Sequence, residues 1–130
     1  MSATSGFGLA FALTLVLLAL VVATGLRAKR VWHITFVALA VASLGVTIWC
    51  ALKLGKLYDL RAAGPITPIH LTLAKITTAC YLLPIATGLR TIFVPATRRL
   101  HRKVAFLVLA LTLVTAITGT AMMWLAPRIG

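Results

Sequence analysis

Three histidines are the side chains of this 130-residue chain best suited to ligand or proton chemistry. His33 opens an apolar run directly after the basic stretch Arg27-Ala-Lys-Arg30, and His101 opens another inside Arg98-Arg-Leu-His-Arg-Lys103. Two neutral imidazoles on different helices at similar depth are the ingredients of a b-type haem site with two axial histidines. The same pair could take copper or another transition ion. The plainer reading makes both histidines anchors at the membrane boundary. His70 begins a run on the opposite side and has no histidine partner there, so a haem on it would need Met122 or Met123 as second ligand. Lys75 lies about two turns into that run, roughly 10 Å beyond Pro68 at helical rise. An ammonium at that depth is a functional suspect, but its four-carbon stem also allows it to snorkel to the outer interface. Asp59 is the only acidic side chain in the sequence, which makes a Lys75–Asp59 ion pair the one available, with Thr72 and Thr78 placed to solvate the ammonium.

Much chemistry is excluded by composition. One carboxylate rules out a paired acid/base mechanism supplied by this chain alone. No Gly-rich phosphate cradle, nucleophile elbow or metalloprotease motif is present, so the expected function is not enzymatic. Cys50 and Cys80 sit inside apolar runs with no CxxC around them and read as small hydrophobes rather than zinc ligands. Transport by this chain alone is disfavoured, because no acid or histidine lies at mid-depth. The thirteen Lys and Arg give a formal charge of +12. They cluster between apolar runs, where they set topology and attract anionic headgroups, and no nucleic-acid reading motif accompanies them.

The elements that must position these residues are membrane spans. The chain is 62% hydrophobic with a mean hydropathy of +1.09, more apolar side chain than a soluble domain of this length can hide. Apolar runs at about 7–26, 33–54, 68–89 and 100–125 each approach the ~20 residues needed to cross ~30 Å of hydrocarbon. Lipid cannot satisfy open strand edges, so the spans are helical. The predicted fold is all-α: a single bundle of four transmembrane helices filling 1–130. The first run lacks the basic lead of a cleaved signal, and its charges follow it, as in an uncleaved span with an exported N-terminus. The first and third connections carry Arg27, Lys29, Arg30, Arg90, Arg98, Arg99, Arg102 and Lys103 against Lys53, Lys56, Arg61 and Arg128 on the other side. The basic side stays cytoplasmic, which places both termini outside. Small-residue stripes, Ala38-Ala42-Gly45 and Thr115-Thr118-Gly119, are expected at helix contacts, either within the bundle or with a partner subunit.

The order of these features resembles the small four-helix membrane family that includes CtaM, an assembly factor for cytochrome c oxidase. In that pattern a basic stretch precedes a histidine opening the second span, as at His33, and a histidine among basic residues opens the fourth, as at His101. An aromatic residue four positions before a histidine closes the second span; Trp49 and Lys53 stand there. A histidine nine residues before a proline lies in the third span; Lys75 and Pro84 keep that spacing. Thr118-Gly119 and Trp124 match its closing motif. The likeness covers about 11–125, and two of its four histidines are lysines here. It implies a non-catalytic accessory or assembly subunit of a respiratory-type electron-transfer complex in a bacterial inner membrane. The partners implied are the bilayer and neighbouring membrane subunits, with no nucleic acid. A b-type haem carrier on His33 and His101 is the alternative.

Overall fold

The computed structural model describes residues 2–129, as five α-helices and two short 3₁₀ turns. Four of its helical segments are long and apolar enough to cross a membrane: Ala3–Leu26, Arg30–Gly55, Ile66–Phe93 and Pro95–Leu125. The chain divides into two compact units, residues 2–58 with Ile129, and Asp59–Arg128.

The first unit is a hairpin of α1 (Ala3–Leu26) and α2 (Arg30–Gly55). Its turn is a Schellman closure. The Lys29 N–H donates to the Thr24 carbonyl at 3.0 Å and the Ala28 N–H to the Gly25 carbonyl at 3.2 Å, with Ala28 left-handed at φ 55°. The buried face of α2 is Ala40, Ser43, Thr47 and Leu54, which meets Thr14 and Leu17 of α1. The stripe Ala38-Ala42-Gly45 is exposed, and a Cβ built on Gly45 meets nothing within 4 Å. Hydroxyls decide the face: Thr14 Oγ1 lies 2.8 Å from Ser43 Oγ and 2.9 Å from Thr47 Oγ1. In hydrocarbon those groups have no better partner than one another, so they turn inward while Leu, Val and Trp side chains face out.

The second unit pairs a broken span with a long helix. The third apolar run is not one helix but two, α3 (Ile66–Cys80) and α4 (Leu82–Phe93), joined at Tyr81. Pro84 causes the break, since it has no N–H for the Cys80 carbonyl and its ring crowds that carbonyl. A 3₁₀ turn, Pro95–Thr97, leads into α5 (Arg98–Leu125), which packs along both α3 and α4. At the unit's opening the Asp59 carboxylate accepts the N–H groups of Arg61 and Ala62, starting the 3₁₀ turn Leu60–Ala63. The Thr67 hydroxyl donates to the Leu60 carbonyl. Gly64 then takes φ 77° ahead of Pro65, a conformation open to glycine.

Two outcomes follow for stability. Ala28→Gly should raise the unfolding midpoint in detergent, because a left-handed alanine costs ~1–2 kcal/mol and the added unfolded-state freedom of glycine returns only ~0.4–1 kcal/mol of that. Tyr81→Phe should lower it slightly, by ~0.6 kcal/mol, the usual worth of one interhelical hydrogen bond in a membrane protein. Thermal unfolding followed by circular dichroism measures both.

Candidate functional site

The geometry around the histidines is set by threonines. A threonine in an apolar helix gives its single hydroxyl proton to the carbonyl four residues back, and so faces its neighbour purely as an acceptor. On α5, Thr112 donates to Val108, Thr115 to Leu111, and Thr118 to Val114, at 2.7–3.0 Å. These acceptors recur every three residues, along the face that meets α3 and α4. Three donors answer them: the Tyr81 hydroxyl on Thr112 at 2.7 Å, the Thr77 hydroxyl on Thr115 at 2.8 Å, and His70 Nδ1 on Thr118 at 3.1 Å. The expected role of Thr115 and Thr118 at a helix contact is met in this hairpin.

The same logic fixes the ring protons. Thr118 has committed its proton to the backbone, so His70 must donate through Nδ1. Thr87 donates to the Leu83 carbonyl at 2.8 Å, so His101 Nδ1, 3.0 Å from Thr87 Oγ1, is also the donor. His33 Nδ1 lies 2.9 Å from the Val21 carbonyl, which can only accept. In the neutral ring all three histidines therefore carry their proton on Nδ1 and their lone pair on Nε2. That is the tautomer of a histidine that binds iron or another metal through Nε2 while a protein oxygen holds the other nitrogen.

Each ring also rests on a glycine of the helix opposite. A Cβ built on Gly25 would lie 3.0 Å from His33 Cε1, one on Gly88 3.1 Å from His101 Cε1, and one on Gly119 2.7 Å from His70 Cε1. A methyl at Gly119 would force the His70 ring to move, and one at Gly25 or Gly88 would press its ring back by a few tenths of an ångström. In all three cases the glycine follows a threonine: Thr24-Gly25, Thr87-Gly88 and Thr118-Gly119. Sequence reasoning missed this seat for the histidines, although a signal was present. The pentapeptide Ala-Thr-Gly-Leu-Arg occurs at both 23–27 and 86–90, each time ahead of a basic connection and the histidine that opens the next helix. The repeat marks both hairpins with one device.

His33 belongs to the first unit and His101 and His70 to the second, each half-buried in its own hairpin. Among the described residues no group of three or more His, Cys, Asp or Glu side chains is assembled for a metal ion. Lys75 is exposed, and no hydrogen bond or ion pair engages it among the described residues. No Lys75–Asp59 pair is formed among the described residues; Asp59 Oδ1 instead accepts the Arg61 and Ala62 N–H groups. No hydrogen bond joins Thr78 to the ammonium among the described residues, and the Thr78 hydroxyl donates to the Ala74 carbonyl. Lys53 has a different partner: its ammonium stands 3.7 Å over the Trp49 ring, one turn back on α2. Met122 is buried and Met123 half-buried on α5. Cys50 and Cys80 are free thiols, both half-buried.

Comparison with protein families, with curated proteins and with solved structures finds no match.

The glycine seats give a direct test of this geometry. Gly119→Ala should destabilise the protein by ~1–3 kcal/mol, the usual cost of forcing added volume into a packed contact. Gly45→Ala, made into open space, should cost nothing. Thermal midpoints in one detergent compare the two.

Proposed function

We propose that this chain is a non-catalytic accessory or assembly subunit of a membrane electron-transfer complex, acting through helix contacts in a bacterial cytoplasmic membrane. One observation supports it most: the buried polar side chains of its spans are satisfied within the chain. Every buried side-chain nitrogen or oxygen among the described residues has a hydrogen-bond partner. The surfaces left over are apolar helix faces carrying Leu9, Val16, Leu39, Trp49, Leu107 and Ile117. A chain of this kind works by what it touches. The respiratory part of the reading rests on the resemblance of His33, Pro84, His101, Thr118-Gly119 and Trp124 to the CtaM pattern. In this reading both termini face outward and the basic connections stay in the cytoplasm, in keeping with the Lys and Arg count.

A second reading, a b-type haem protein with His33 and His101 as axial ligands, is favoured by the shared Nδ1 tautomer. Imidazole is an axial ligand that haem iron takes. Bound haem would supply one-electron redox chemistry. The chain would contribute the Val21 carbonyl and the Thr87 hydroxyl, which hold each ring in the ligating tautomer.

Complementation separates the two readings. A strain lacking the chain should lose most of its assembled terminal oxidase, measured from the oxidase bands of membrane visible spectra. His33→Ala and His101→Ala should restore those bands as the wild type does, provided the variants accumulate. The purified protein should show no reduced-minus-oxidised b-type signal. A haem signal abolished by His33→Ala, together with failed complementation, would establish the second reading and overturn the first.

A further inference from the structure

The first turns of α5 carry an electrostatic conflict. Arg98, Arg99 and Arg102 occupy one face of the helix, at spacings of three and four residues, and all three are exposed. Like charges at those spacings repel. They also stand at the positive end of a 28-residue helix, where the backbone dipole favours anions and opposes cations. No side chain caps this end: the Thr97 hydroxyl donates instead to the Val94 carbonyl at 2.7 Å. The only acidic side chain in the sequence is Asp59, and it stands at the start of the 3₁₀ turn Leu60–Ala63 rather than at this helix. Where a sequence breaks the local rules without internal compensation, compensation from outside is the natural cause.

The arginines are also shaped into a recess. Arg98, Arg99 and Arg102 line, with Ala96, a groove of about 320 Å³. Phe93 and Val94, which precede this segment in the chain, are exposed. Three guanidinium groups at the start of a membrane-length helix suit an amphiphile better than a free inorganic ion. Guanidinium groups recognise phosphate oxygens in fixed fork geometry.

We propose that this groove is a binding site for the phosphodiester headgroup of an anionic phospholipid, with Arg98, Arg99 and Arg102 on the phosphate. The lipid supplies the negative charge that the N-terminus of α5 lacks. The site is separate from the histidine seats and stands whether or not the chain serves a respiratory complex.

Native mass spectrometry of the full chain in a maltoside detergent, with equimolar phosphatidylglycerol and phosphatidylcholine, tests it. A basic residue near an anionic surface contributes about a fivefold preference, so three should favour phosphatidylglycerol by at least about tenfold after screening. The triple variant R98Q/R99Q/R102Q should lose that preference, and R102Q alone should lose about fivefold. A control with Lys53, Lys56 and Arg61 changed to Gln should keep it within about twofold. The triple variant should also melt no lower than wild type in detergent without anionic lipid, because it removes repulsion. Equal retention of the two lipids by the wild type would overturn the proposal. So would an equal loss in the control, which would mean diffuse attraction. Displacement of the bound lipid by millimolar inorganic phosphate would reassign the groove to free phosphate and overturn the lipid site.

Discussion

A hydroxyl proton inside hydrocarbon has nowhere to go but the protein, and that constraint organises both hairpins. The back-bonded threonines of α5 satisfy themselves along their own helix and leave only lone pairs for their neighbours. A facing side chain must then be a donor or be left unsatisfied, at a cost of about 1–3 kcal/mol. Thr77, Tyr81 and His70 are donors placed opposite Thr115, Thr112 and Thr118. The result is a set of directional links in a medium that provides little hydrophobic drive between helices. In the first unit Ser43 is the donor opposite the back-bonded Thr14, with Thr47, also back-bonded, 2.9 Å from the same oxygen.

Glycines and one proline make this arrangement possible. Donor and acceptor meet only if the ring can lie against the opposing backbone, so a Thr-Gly pair recurs beneath each imidazole. Pro84 interrupts the third span, and the first residue beyond α3 is Tyr81, which closes onto Thr112. The helix break thus leaves the hairpin closed on both of its sides. The histidines emerge as fasteners by construction, and their common tautomer is a consequence of how they fasten. That tautomer is also what a ligand histidine needs, so the two functional readings share one geometry.

The four spans were legible because composition and run length dominate in lipid. Their limits shift outward by a few residues: α2 begins at Arg30 rather than 33, and the third segment extends to Phe93 rather than 89. The break at Tyr81 was not anticipated, although Pro84 carried the signal. For the candidate site, residue type was legible and partnership was not. His33, His70 and His101 stand out by chemistry, but their seats are set by threonines and glycines on other helices, and only the repeated Ala-Thr-Gly-Leu-Arg hints at those. Asp59 and Lys75 misled for the opposite reason. They are the obvious opposite charges, yet a carboxylate beside free backbone N–H groups is satisfied locally, and a long ammonium side chain needs no partner to reach water.

Nitrogen-15 solid-state NMR of the histidine side chains in reconstituted bilayers, above the pH at which imidazole is charged, would test this account most directly. It predicts that His33, His70 and His101 all appear as Nδ1-protonated tautomers, with Nε2 in the unprotonated range. Nε2-protonated rings at these positions would contradict it, because the oxygens facing Nδ1 could not then be satisfied as the structure requires.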